Sequence, residues 1–235
     1  MPGGNQSEDG QNCACITAKN EAGTIGQLVA SLKQQGLPAI VVDDGSKDGT
    51  GSLAYLAGAV VIWHARPRGI GPSLIETWRE ALRLGCQGMV QLDAGGSHDP
   101  RDALALISGL SHADIVIGSR FVPGAQYRGK PIRKCLSRIA AWACNRHSPV
   151  KLADWTSGYR AFSRRALLLL ASLPYEAKMH GWQIEVLFKA LGLGLSVAEV
   201  PIVYYASRST LDFQAALEAF WVWRKGVPWR SRLPS

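Results

Sequence analysis

VVDDGSKDGT, Val41 to Thr50, changes character at its third residue. Val41 and Val42 close the apolar run that begins at Ala39, two acids follow, and Gly45-Ser46 and Asp48-Gly49 are turn formers. A short β-branched run that stops at acids and a turn reads as a buried strand ending in a polar loop. Adjacent carboxylates at a strand end can accept hydrogen bonds from a base or a ribose. They can equally organise a strand-to-helix turn, with Asp48 helping to cap the next helix. The other strand ends decide how much weight the first reading carries.

Working outward, the pattern repeats. Upstream, the run CACIT is followed by NEAGTIGQLVASLKQQG, in which Ile25, Leu28, Val29 and Leu32 recur at helical spacing and Gly36 closes the segment. Downstream come a short helix in DGTGSLAYLAG, a strand in AVVIWH and an amphipathic helix in GPSLIETWREALRLG, with Pro72 near its start where proline is tolerated. Then GMVQLD reads as a strand, DPRDALALISGL as a helix and ADIVIGSR as a strand. Strands alternating with helices predict an α/β fold with a mostly parallel central sheet flanked by helices. In such sheets the ligand lies outside the carboxyl ends of the strands. Here those ends carry Asp43-Asp44, Asp93 and Gly118-Ser119-Arg120.

The second half is less regular. YRGKPIRKCLSRIAAWACNRH is basic without an acid and reads as helical from Ile132. DWTSGYRAFSRRALLLLASL reads as loop, short strand and helix, GWQIEVLFKALGLG as a helix ended by glycines, and SVAEVPIVYY as an edge strand containing Pro201. In VQLDAGGSHDP, Val90 to Pro100, Asp93 stands at a strand end, while Asp99 before Pro100 is assigned to starting the next helix.

Composition sets the outer limits. The 235 residues are 47% hydrophobic and 19% charged, enough for one globular domain with a real core, and the net charge of +8 favours an anionic partner. The five cysteines have no CxxC spacing, which argues against a zinc site or disulfide framework and for a reducing compartment. Residues 1–11 are polar and Gly-rich and read as a disordered leader, residues 12–211 as one globular domain, and 212–235 as an amphipathic Trp- and Arg-rich helix and tail. No apolar run reaches the roughly 18 residues of a membrane span. The basic residues lack aromatic interleaving on a sheet face, so nucleic acid is not an expected partner.

Taken in order, TAKNEAGTI, VVDDGSKDGT, RGIGPSLIETWREAL, QLDAGGSHDP, DIVIGSRFVPG, DWTSGYRAF, WQIEVLFKA and AEVPIVY resemble glycosyltransferase family 2, and within it the dolichyl- and polyprenyl-phosphate mannosyltransferase branch. The resemblance implies a GT-A nucleotide-diphospho-sugar transferase fold. It also implies inverting transfer of a hexose from a nucleotide donor, GDP-mannose first, to a polyprenyl phosphate. A UDP-sugar donor with the same or another acceptor, and a non-catalytic nucleotide-sugar-binding relative, are the alternatives. By that resemblance Glu21, Asp43, Asp44 and the main chain around Thr17 hold the nucleotide. Asp93 approaches the diphosphate and its Mg2+ or Mn2+, with Ser97 at the further ligand position. Arg120, Arg133, Ser137 and Arg208 receive the acceptor phosphate, and Asp154, Gln183 and Glu185 line the sugar and acceptor side. Asp93, Arg120 and Asp154 are the expected catalytic set.

The residue chemistry agrees with that reaction. A phosphomonoester is already anionic at neutral pH, so it needs orientation and charge compensation more than a strong base. Three departures stand out. Thr17, Ala18 and Lys19 occupy the usual Pro-Thr-Tyr, Gly95 takes the place of the second acid of Asp-x-Asp, and ASRSTL replaces a Gly-x-Ser-Lys segment. The mix of Phe213, Leu217, Phe220, Trp221, Trp223 and Trp229 with Arg224, Lys225, Arg230 and Arg232 suits peripheral binding to the inner face of the cell membrane, and equally a C-terminal helix docked on the domain. With the cysteine usage, the expectation is a cytoplasmic protein that binds peripherally there.

Overall fold

The computed structural model describes residues 10–177 and 181–205. The C-terminal segment with Arg208 and nearly all of the polar leader lie outside the described residues. The first half is a regular alternation: β1 Cys13–Ala18, α1 Ile25–Gln34, β2 Ala39–Asp43, α2 Thr50–Leu56, β3 Val60–Trp63, α3 Ile70–Arg83, β4 Gly88–Asp93, a single 3-10 turn Pro100–Asp102, α4 Ala103–Gly109 and β5 Ile115–Ser119. The second half adds β6 Gln126–Arg128, α5 Pro131–His147, β7 Arg160–Ser163, α6 Arg164–Leu170, α7 Gly181–Gly192, β8 Val197–Pro201 and β9 Val203–Tyr205.

A seven-stranded sheet runs in the order β3-β2-β1-β4-β7-β5-β8, and β6 pairs with β9 in a small second sheet. Strands β1, β2, β3 and β4 pair in parallel, as do β5 and β8. Strand β7 is antiparallel to both β4 and β5. The sheet is therefore mostly parallel, as expected, with one reversed strand in its middle. Pro201 ends β8 at the sheet edge, where a missing N–H costs no ladder bond.

Alternation along β1 divides the core. Cys13 and Cys15 face one apolar cluster, with Trp78 of α3, Leu167 of α6 and Leu187 of α7; Ala14, Ile16 and Ala18 face the other, with Ile25 and Val29 of α1 and Leu106 of α4. Trp78 anchors the first cluster, 4.8 Å from Phe162 and 5.1 Å from Trp182 between ring centroids. Helix α1 buries Ile25, Val29 and Leu32, a stripe at i, i+4 and i+7, and the chain turns away through Gly36 at φ 75°.

The strand order reverses beside β1: the chain winds out to β3 and returns to β4 on the other side. Thr17 of β1 lies in register with both Val42 and Asp93. The carboxyl ends of β1, β2 and β4 thus open on the crevice where such sheets take ligands.

Candidate active site

The loops after β1 and β2 are sewn together by short polar side chains. Asn20 sits at φ 56°, a region Asn tolerates, and its Oδ1 accepts from Lys47 N at 2.9 Å. Asp48 accepts from Ala22 N at 3.1 Å and from both the N–H and the hydroxyl of Thr50, while Thr50 Oγ1 accepts from Glu21 N at 2.8 Å. These bonds hold Glu21 over the β1–β2 edge.

Asp43 is buried, with Oδ1 accepting from Ser46 N at 2.9 Å and Oδ2 from Gly51 N at 3.0 Å. Gly51 is required there, because a Cβ would lie 2.3 Å from the Trp63 ring and 2.5 Å from Asp43 Oδ2. Asp44 Oδ1 accepts from Arg68 N at 2.7 Å and meets His64 Nδ1 at 2.8 Å; its Oδ2 accepts from Gly69 N at 3.1 Å. His64 Nε2 in turn meets Glu76 Oε2 at 2.8 Å, and Glu76 Oε1 accepts from Arg68 Nη1 at 2.6 Å. Burial opposes charge on all three, yet the pairing outweighs it: His64 is raised above the ordinary imidazole range, and Asp44 and Glu76 are lowered. The cluster is an imidazolium between two carboxylates, pinning the start of α3 to the end of β2.

Asp93 ends β4 with its side chain about half exposed (54%), and His98 Nδ1 lies 3.9 Å from its Oδ2. His98 is buried against Tyr159, and burial lowers its pKa, so it stands there as a neutral ring. Asp99 accepts from Arg101 N at 3.0 Å in front of Pro100, the helix-starting role expected of it. Ser97 is buried, and its carbonyl accepts from Tyr205 N at 3.0 Å. Across the crevice Gly158 separates Asp93 from Gln183. A Cβ on Gly158 would lie 3.7 Å from Asp93 Oδ2 and 3.4 Å from Gln183 Nε2.

The end of β5 builds a second, cationic corner. Arg120 donates from Nε to Asp154 Oδ2 at 2.7 Å, and from Nη2 to Asp154 Oδ1 at 2.7 Å and Thr156 Oγ1 at 2.6 Å; Ser137 Oγ of α5 is 3.5 Å away. The guanidinium stacks between Phe121 and Tyr204, at 5.2 and 5.3 Å from their ring centroids. Asp154 is fully buried; Arg120 overcomes the burial penalty and lowers its pKa, so the pair is ionised. Glu199 of β8 supports it by accepting from Ala153 N and Asp154 N at 2.7 and 2.9 Å. A pocket of about 180 Å³ opens here, lined by Arg120, Phe121, Val122, Ala125, Tyr127, Lys134 and Arg138. Tyr127 stacks on Tyr204 at 5.3 Å, which joins β6 to β9 over the pocket. Arg133 lies close enough to act on the Tyr127 hydroxyl, whose pKa burial raises.

Two buried groups brace the far wall. Arg160 donates to the carbonyls of Ser157, Gln183 and Trp155 at 2.9, 2.8 and 2.9 Å, and burial pushes its pKa down to about 9. Glu185 accepts from Ala177 N at 2.9 Å and pairs with Lys189 at 2.8 Å. Glu185 therefore braces the 176–177 segment, while Gln183 lies across Gly158 from Asp93. Sequence reasoning does not single out His64, Glu76, Lys134, Arg138, Thr156 or Glu199. Of these only Lys134 and Arg138 carry a signal, four residues apart on one basic helix.

The chain has the GT-A nucleotide-diphospho-sugar transferase fold, with carboxylates at the sheet's reversal point and a cationic pocket at the next strand end. The same architecture occurs in glucosyl-3-phosphoglycerate synthase from Mycobacterium tuberculosis, solved with Mn2+, UDP and glucosyl-3-phosphoglycerate. That structure superposes at a TM-score of 0.69 and 23% identity, over 97% of this chain and 82% of that one. Residues 13–169 match the glycosyl transferase family 2 model, and the chain belongs to that family. Among relatives, polyprenol monophosphomannose synthase of Mycolicibacterium smegmatis is 38% identical over 173 residues, 70% of this chain and 65% of that protein. Undecaprenyl-phosphate mannosyltransferase of Micrococcus luteus is 33% identical over 190 residues, 77% of this chain and 76% of that one. The chain thus spans just under two thirds of the mycobacterial relative's length.

Proposed function

We propose that this family 2 chain transfers a hexosyl group, with inversion, from a nucleoside diphosphate donor to the phosphate of a polyprenyl phosphate, and that GDP-mannose is the donor. The observation that carries the lipid acceptor is the outer face of α5. Ile132, Leu136, Ile139 and Trp142, at 55, 43, 55 and 63% exposure, form one apolar stripe, and of the helix's 17 residues only Ala141 and Cys144 are buried. The same helix contributes Lys134 and Arg138 to the pocket that holds Arg120. A phosphate site beside a cation-flanked apolar stripe suits a molecule with an anionic head and a long apolar tail at a membrane surface. No helix among the described residues is long and apolar enough to cross a membrane.

In this reading an acceptor phosphate oxygen attacks the anomeric carbon, and the bond from that carbon to the donor's β-phosphate oxygen breaks. Lys134, Arg138 and Arg120 orient the acceptor anion. Asp154 keeps the Arg120 fork in one orientation. Glu21, Asp43 and Asp44 shape the nucleotide side, and Gln183 faces the sugar next to Asp93. The oxygen donors at the end of β4 fit a hard divalent cation, since no described side chain donates a hydrogen bond to the Asp93 carboxylate. Mg2+ or Mn2+ bound there would offset the charge that develops on the departing diphosphate.

A second reading, a UDP-sugar donor with a phosphorylated small acceptor, is supported by the same cationic pocket, which would receive any phosphomonoester. Labelled GDP-mannose, UDP-glucose and UDP-GlcNAc, each offered with polyprenyl phosphate or with 3-phosphoglycerate, separate the two. Label in the organic extract from GDP-mannose is the expected result. Label confined to a water-soluble product overturns the lipid acceptor.

A further inference from the structure

We propose that Glu21 supplies the second carboxylate of the divalent-cation site at Asp93, in place of the acid that is absent at Gly95. The inference rests on the reading that the β1–β4 crevice takes a nucleoside diphosphate. Glu21 and Gly95 are far apart in sequence but meet in space: a Cβ on Gly95 would lie 3.1 Å from Glu21 Oε1 and 3.8 Å from its Cδ, and among the described residues beyond its chain neighbours it would meet no other atom within 4 Å. The contact is held from both sides. Thr24 Oγ1 donates to Ala94 O at 2.8 Å and lies 3.4 Å from Glu21 Oε2, while Glu21 N donates to Thr50 Oγ1. One threonine therefore ties the Glu21 carboxylate to the residue between Asp93 and Gly95.

The backbone does not demand glycine at 95. Gly96 is left-handed at φ 72°, whereas Gly95 lies outside that region, where any side chain is accommodated. What an aspartate there would meet is Glu21, like charge against like charge. A glycine at 95 and a carboxylate at 21 thus occupy one place between them. Gln183, 7% exposed, stands across Gly158 from Asp93 with its Nε2 on that side, and its Oε1 has no hydrogen-bond partner among the described residues, so this buried amide keeps unused acceptor capacity beside the crevice. Among the described residues no three His, Cys, Asp or Glu side chains converge to hold a metal unaided. Two carboxylates leave most positions of a hard cation to phosphate oxygens and water. Tight cation binding therefore requires the nucleotide.

The test is Mn2+ affinity of the full chain, read from loss of the free-ion EPR signal with and without saturating GDP or UDP. Circular dichroism and the thermal transition serve as fold controls, and the nucleotide is brought to saturation separately for each variant. Wild type binds Mn2+ tightly only with nucleotide. Glu21→Ala weakens that affinity by at least about tenfold, and Glu21→Ala with Gly95→Asp recovers it, because the new acid fills the vacated space. Unchanged affinity in Glu21→Ala, no recovery in a folded double variant, or no nucleotide-dependent Mn2+ binding by wild type each overturns the assignment. Transfer that persists in EDTA would also overturn it while leaving glycosyl transfer intact. Normal Mn2+ behaviour with no transfer from any donor would overturn the transfer reading instead.

Discussion

Asp154 meets Arg120 edge to edge, each carboxylate oxygen 2.7 Å from a different guanidinium nitrogen, with the acid wholly buried. Such a pair costs desolvation on both sides, and breaking it leaves a charge without its partner. Asp154→Ala is expected to lower stability by about 3–5 kcal/mol in urea titrations. Arg120→Lys keeps the charge but loses the fork, so KM for the phosphate acceptor should rise more than KM for the donor. Equal effects on both would contradict the pocket's role.

His64 gives the fold a pH signature. Its raised pKa means its contribution is complete below the ordinary imidazole range near 6.5 and fades as pH climbs through the raised value. Asp44 and Glu76 are lowered, so theirs is complete above the ordinary carboxylate range and fades only in stronger acid. The cluster is therefore most stabilising between about pH 5 and 6.5. The stability gap between wild type and His64→Gln should be largest there, about 2 kcal/mol, and should narrow by pH 9. A gap that widens toward alkaline pH would refute the imidazolium assignment.

On α5, Ile139→Glu with Trp142→Glu should weaken sedimentation with anionic vesicles by at least about tenfold, since each buried side chain is worth roughly 1.5–3 kcal/mol. Both side chains are more than half exposed, so thermal stability should hardly move. Vesicle binding identical to wild type at low salt would show that this face does not touch lipid.

Asp93→Asn should reduce turnover by about 100-fold or more without loss of the thermal transition, because its carboxylate braces no other described element. Turnover within a factor of about two would remove Asp93 from the reaction.

The first half of the fold is legible because its central strands are short, wholly buried apolar runs, while α1 and α3 bury a stripe at helical spacing. Asp43-Asp44, Asp93 and Ser119 fall at the carboxyl ends of β2, β4 and β5 as the alternation required. Strand β7 was visible as a strand, yet its reversal was not. Arg160 to Ser163 reads alike in either direction, and only its pairing with Gly88–Gln91 and Ile115–Ile117 fixes it. The β6–β9 pair joins three-residue strands from distant parts of the chain, too short for any period to register. At the site, side-chain identity pointed to Asp44 but not to His64, which becomes informative only once the loop before α3 folds back. The Glu21 and Gly95 pairing is likewise invisible along the chain, being a contact between two loops.

Helix α5 buries side chains only in its last turns, while the crevice loops are cross-linked by Asp48, Thr50 and Thr24. Local opening free energy follows the apolar contact that opening must break. In amide hydrogen exchange the stretch from Pro131 to Ala140 should therefore exchange early, as a unit separate from β1 to β4. Anything that covers the stripe would slow that exchange selectively, and because Lys134 and Arg138 of this helix line the pocket beside Arg120, filling that pocket would be coupled to the ordering of a single helix.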